Sequence, residues 1–176
     1  MKRGAAIVLI GFMGSGKSSV GRALEEKTGL PLHDTDRIVS ACFGLPIREI
    51  FKQHGEEQFR NSETEALAKL GDGPAIIVTG GGTVLRPENV TIIRGLGVVV
   101  NLTADEETLF ERVSRRATRP LLQTENPRET LRELLHVREP LYRQAADLTL
   151  DTSGVTHDEV AEAVLRGAET FQRNAS

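Results

Sequence analysis

The sequence predicts an α/β fold of three layers, a five-stranded parallel sheet with helices on both faces. Short apolar runs recur along the chain, helix punctuation lies between them, and a glycine-rich loop stands where the first run passes into the first helix. A length of 176 residues with 39% hydrophobic and 27% charged side chains bounds the chain to a single globular domain, 1–176.

The predicted strands are "AAIVLI" (Ala5 to Ile10), "LPLHD" (Leu30 to Asp34), "AIIVT" (Ala75 to Thr79), "VVVNL" (Val98 to Leu102) and "LTL" (Leu148 to Leu150). Thr28-Gly29 ends the first helix, and Thr103-x-x-Glu106, Asn126-Pro127-x-Glu129 and Thr156-x-x-Glu159 read as capping boxes. In such a sheet ligands sit at the carboxyl ends of the strands. A net charge of −3 argues against a dedicated nucleic-acid binder, so any anion site is local. The single cysteine, Cys42, excludes an internal disulfide framework and reads as a small buried hydrophobe in a reducing compartment. Met1-Lys2-Arg3 and "GAAIVLIGFM" imitate a secretory signal, but cleavage there would remove or truncate the glycine-rich loop. No apolar run approaches the ~20 residues that cross a bilayer, so a cytoplasmic protein without membrane attachment is expected.

"GFMGSGKS", Gly11 to Ser18, fits G-x-x-x-x-G-K-[ST] between a strand and a helix and reads as a phosphate-binding loop. Its backbone N–H groups turn toward one anion, the helix N-terminus adds partial positive charge, Lys17 reaches the β and γ phosphates, and Ser18 holds Mg²⁺. A nucleotide follows from this, but no reaction does. In "HDTDR", alternation along an extended chain turns Asp34 and Asp36 the same way, one to support Mg²⁺ through water and the other to orient an acceptor hydroxyl. The alternative reading of Asp36 is a helix N-cap. "LPIREIFKQHGEEQFRNSE" reads as two helical pieces broken at Gly55, in which Arg60, four residues after Glu56 and three before Glu63, fits a solvated ion-pair face. "TGGG" (Thr79 to Gly82) by composition is a flexible turn.

Taken together, "GFMGSGKSSVGR", "DTD", "IREIF…GEEQFR", "GGGT", "TRPLL" and "REPLYRQAA" resemble the shikimate kinase family, almost end to end and in the family's order. The resemblance implies a nucleoside-monophosphate-kinase-like P-loop fold with a shikimate-binding insertion at about 35–62 and a lid at about 114–126. It implies an ATP- and Mg²⁺-dependent enzyme, monomeric, that phosphorylates the 3-hydroxyl of shikimate in aromatic amino-acid biosynthesis. ATP falls to Gly14, Ser15, Gly16, Lys17, Ser18, Ser19, Arg112 and Arg119, and the metal to Ser18 and Asp34. Shikimate falls to Asp36, Arg60, Gly80, Gly81, Gly82 and Arg138, with Glu63 holding Arg60 in place. Lys17, Asp36 and Arg119 are the implied catalytic set, Arg119 lying over the transferring phosphoryl group, while Arg115 and Arg116 compete with Arg112 for the adenine. In this company the triplet becomes the floor of the acceptor site, and Gly81→Ala is expected to weaken shikimate more than ATP. Val78 departs from the family, which usually has a small residue there, often Ser, to hold a magnesium-bound water. His33, His54, His136 and His157 have no metal-ligand spacing and read as surface or structural residues. A gluconate kinase and a non-catalytic nucleotide-binding module are the rival readings.

Overall fold

The apolar runs form one parallel sheet in the computed structural model, which describes residues 4–115 and 124–175. Its strands are β1 (Ala6–Ile10), β2 (Leu32–Asp34), β3 (Ile76–Val78), β4 (Gly97–Thr103) and β5 (Leu148–Asp151), in the order β2-β3-β1-β4-β5. Between them run α1 (Lys17–Thr28), α2 (Thr35–Phe43), α3 (Ile47–Ala68), α4 (Pro87–Leu96), α5 (Glu106–Ser114), α6 (Pro127–Ala145) and α7 (His157–Ala175), with a 3₁₀ turn at Thr83–Leu85. Arg116 and Arg119 lie outside the described residues.

Alternation divides the strands between two cores. Val8, Ile10, Ile77 and Val99 pack with Ile93, Leu109, Leu131 and Tyr142 from α4, α5 and α6. Ile7, Leu9, Ile76 and Val100 pack on the other face with Val20, Leu24, Val160 and Val164 from α1 and α7. The chain therefore leaves β1 toward one face and its neighbour β3 toward the other, and a crevice opens between their carboxyl ends. Alongside it α2 and α3 close over their own cluster of Val39, Ile50, Phe59 and Ala66, with α3 kinked at Gly55 (φ 81°) as expected.

Two of the expected capping boxes form. Asn126 accepts from the Glu129 N–H, and Thr156 and Glu159 exchange hydrogen bonds. The third does not, because β4 continues through Thr103, which pairs with Asp151. Asp105 caps α5 instead, and hydrogen bonds from the backbone and hydroxyl of Thr108 hold its carboxyl at about 2. Cys42 is exposed rather than buried. No helix among the described residues is long and apolar enough to cross a membrane.

Candidate active site

The phosphate loop follows β1, whose five residues are all buried, and ends as α1 begins. Gly14 and Gly16 adopt φ of 85° and 93°, a left-handed backbone that glycine enters without a Cβ penalty. Gly16 lies directly before α1, so the open N–H groups of a helix start face the loop's concavity. Lys17 Nζ curls over the same loop and donates to the carbonyls of Gly11 and Phe12 at 2.8 and 2.9 Å.

This loop forms one wall of a cleft of ≈ 550 Å³ that includes Gly14, Gly16, Lys17, Ser18 and Ser19. Asp34, Asp36, Val78 and Thr79 line it from the carboxyl ends of β2 and β3, and Arg112 of α5 and Arg115 at its C-cap line it too. Arg112 is anchored by the hydroxyl and carbonyl of Thr152, both at 2.9 Å, and by the Gly14 carbonyl at 3.3 Å. Arg115 makes a 3.7 Å ion pair with Glu111, and its side chain is 79% exposed. His157, expected to be surface or structural, borders the cleft beside Gly16. Sequence spacing gave no sign of this, since the start of α7 reaches the loop only through tertiary packing.

The two aspartates reach the cleft differently from the strand alternation expected of them. β2 ends at Asp34, which caps α2 by accepting from the Arg37 N–H at 3.2 Å. Asp36 already lies in the first helical turn, so the N-cap role belongs to Asp34. Ser18 and Asp34 nonetheless line the same two adjoining cavities, a hydroxyl and a carboxylate of the hard oxygen type that Mg²⁺ prefers. Val78 beside them offers no donor, and Thr79 commits its hydroxyl to the Leu9 carbonyl at 3.1 Å.

A second, smaller pocket of ≈ 70 Å³ adjoins the first and shares Met13, Asp36 and Gly81 with it. Ile47, Phe51, Phe59 and Arg60 of α3, the triplet Gly80 to Gly82, and Arg138 of α6 complete its lining. Arg60 is 8% exposed and not part of a solvated face: Nη1 meets Glu63 Oε2 at 3.0 Å and Nη2 meets Glu56 at 3.2 Å. Glu63 is fully buried, and its other oxygen accepts from the Thr83 hydroxyl. Arg138, 5% exposed, brings a second guanidinium into the pocket, its Nη1 3.5 Å from the Gly81 carbonyl. The buried Tyr142 hydroxyl also donates to that carbonyl, and burial pushes the phenol up to about 12 against the opposing field of Arg138.

The glycine triplet lines this pocket and also makes room for neighbouring side chains. A Cβ at Gly80 would lie 2.4 Å from Glu63 and 2.7 Å from Asp36, and one at Gly82 would lie 2.3 Å from the Arg60 guanidinium. One at Gly81 would meet nothing closer than 3.5 Å. The Gly80 N–H donates to Thr35 Oγ1 at 3.1 Å. Glycine is thus demanded at Gly80 and Gly82, where Asp36, Glu63 and Arg60 crowd the backbone, while Gly81 lines both pockets with no protein atom crowding its Cβ position.

Known proteins match this architecture. A family model described as shikimate kinase matches residues 13–169. The shikimate kinase of Thermodesulfovibrio yellowstonii is 44% identical over 164 residues, 93% of this chain and 94% of that protein. The solved structure of shikimate kinase from Acinetobacter baumannii in complex with shikimate superposes with a TM-score of 0.87 at 36% identity, covering 92% of this chain and 91% of that one. A gluconokinase from Sinorhizobium meliloti, at 21% identity, TM-score 0.57 and coverage of 99% and 97%, shares the fold alone. With the family model spanning most of its length and relatives of this identity covering nearly all of it, the chain belongs to the shikimate kinase family.

Proposed function

We propose that this chain, an ATP-dependent kinase by family, transfers the γ-phosphoryl group of ATP to the 3-hydroxyl of shikimate, giving 3-phosphoshikimate and ADP. The observation that carries the reading is the junction at Asp36, the carboxylate that lines both the phosphate-loop cleft and the arginine-bearing pocket. A small hydroxylated acid in the second pocket has its carboxylate between Arg138 and Arg60, a geometry suited to forked hydrogen bonds. Glu63 fixes the orientation of Arg60, which leaves Arg138 as the less neutralised cation. The acid's hydroxyls then face Asp36.

In the cleft, the backbone of Gly14, Ser15 and Gly16 and the side chains of Lys17, Ser18 and Ser19 are assigned to the phosphates, and Arg112 to the adenine. Mg²⁺ is assigned to Ser18 and Asp34, where it would neutralise charge on the β- and γ-phosphate oxygens. Asp36 aligns the 3-hydroxyl with the γ phosphorus and accepts its proton as the O–P bond forms and the bond to the β–γ bridging oxygen breaks. Lys17 balances the negative charge of the transferring group, with Arg119 assigned the same task from outside the described residues. We further propose a cytoplasmic monomer; the free Cys42 thiol supports the reducing compartment, and net acidity without a basic field argues against a nucleic-acid partner.

ATP turnover measured without acceptor, with shikimate and with gluconate tests the proposal. ADP release that requires shikimate, and that Lys17→Ala abolishes, is expected. Release that requires gluconate, or no acceptor, would overturn it.

A further inference from the structure

A third cavity, of ≈ 240 Å³, lies between the end of β4, α5 and α6 and shares no lining residue with the two pockets that meet at Asp36. Phe12, Leu109, Leu135 and Tyr142 make it largely apolar. Asn101 also lines it, 2% exposed, and its Oδ1 has no hydrogen-bond partner among the described residues. Strand alternation turns Asn101 to the same face as Val99, whose neighbours are hydrophobic. An amide oxygen buried there without a donor is costly, and a donor arriving from a ligand relieves that cost. The rim carboxylates Glu106 and Glu139 are already paired, with Arg132 at 2.9 Å and Arg143 at 2.8 Å, so the opening does not demand a charged guest.

We propose that this cavity is a ligand site for a small, uncharged aromatic molecule carrying one N–H or O–H donor. Its ring packs among Phe12, Leu109 and Leu135, and its donor meets Asn101 Oδ1. Apolar cavities of ~150 Å³ admit benzene, so the space is sufficient for one or two fused rings. The site also touches both substrate pockets from behind. Phe12 belongs to the phosphate loop and its carbonyl receives Lys17 Nζ, while Tyr142 donates to Gly81 of the arginine-bearing pocket.

Indole and benzofuran, which differ in the N–H donor, form the test, followed by backbone-amide NMR titration and calorimetry on the full chain. Neither measurement depends on the catalysed reaction. Saturable indole binding is expected, with shifts at Asn101, Leu109 and Leu135 and with benzofuran weaker by about tenfold or more. Asn101→Leu, which removes the amide, and Leu135→Trp, which fills the cavity from α6, should each weaken indole by a similar factor of about tenfold and leave ATP affinity unchanged. The second variant keeps the test decisive if the first fails to fold. Equal affinity for the two probes, undiminished binding to either folded variant, shifts confined to the phosphate-loop cleft, or no saturable binding would overturn the proposal.

Discussion

Gly82→Ala places a methyl carbon 2.3 Å from Cζ and Nη2 of Arg60 and 2.4 Å from Nη1, whereas ordinary contact begins at 3.4 Å. The backbone is not at issue, since φ at Gly82 is −104°. The guanidinium must therefore retreat by ~1 Å to restore van der Waals separation. The end of an arginine ordinarily moves at little cost, but this one is almost wholly buried and held at 3.0 Å by Glu63. A retreat of that size takes the bond beyond hydrogen-bonding range, and no water reaches the fully buried Glu63 to replace it. A charged hydrogen bond contributes about 2 kcal/mol, so stability should fall by that amount and the melting temperature by roughly 4–8 °C. Shikimate affinity should fall about 30-fold or more, because a recognition group displaced by ~1 Å loses its alignment. In Gly81→Ala the new methyl has its nearest protein neighbour at 3.5 Å, so stability should stay close to wild type, and any loss of shikimate affinity at this pocket-lining position should come without a loss of stability. Calorimetric titration of each protein with shikimate and with ATP, together with thermal unfolding, measures the contrast. A Gly81→Ala loss of stability equal to that of Gly82→Ala, or a silent Gly82→Ala, would refute the reasoning.

Three further outcomes are expected. Asp36→Asn keeps the side chain's size and removes its charge, so turnover should drop by about 10²–10⁴-fold while ATP affinity, measured by titration, holds within about twofold. Arg112→Ala should raise the KM for ATP by about tenfold and leave that for shikimate unchanged, whereas the exposed Arg115 should tolerate alanine, as steady-state kinetics of the two variants will tell. Tyr142 is the sole tyrosine in a chain without tryptophan, so tyrosinate absorbance reports on it alone. The native phenol should ionise at about 12 and the unfolded one at ~10. The native state then holds a proton that the unfolded chain releases, so this contribution to stability is complete below pH ~10 and is lost as the pH rises to about 12. Tyr142→Phe should abolish that decline.

The strands were legible because buried parallel strands are near-continuous apolar runs, and the phosphate loop because glycine spacing and a following lysine fix its chemistry. Strand order was not, since nothing in a run such as "AIIVT" says which neighbour it will pair with. The aspartates show the limit of local periodicity. Alternation requires an extended chain through Asp36, but β2 stops at Asp34 and a helix begins. Thr103 failed as a cap for the converse reason, being held in the sheet by pairing with β5. The triplet lines the pocket that holds Arg60 and Arg138, yet composition does not distinguish room for a ligand from room for Asp36, Glu63 and Arg60. Asn101 passed unremarked inside "VVVNL", although a carboxamide in the middle of a buried strand was itself a signal. The place of His157 beside Gly16 and the hydrogen bond from Tyr142 to Gly81 join residues far apart in the chain, which only packing brings together.

The most direct measurement is phosphorus and proton NMR of the products formed from ATP and shikimate by the purified chain. One phosphate ester on the 3-oxygen of shikimate for each ADP released is the predicted result. ADP accompanied only by inorganic phosphate, or an ester on a different oxygen, would contradict the proposed transfer.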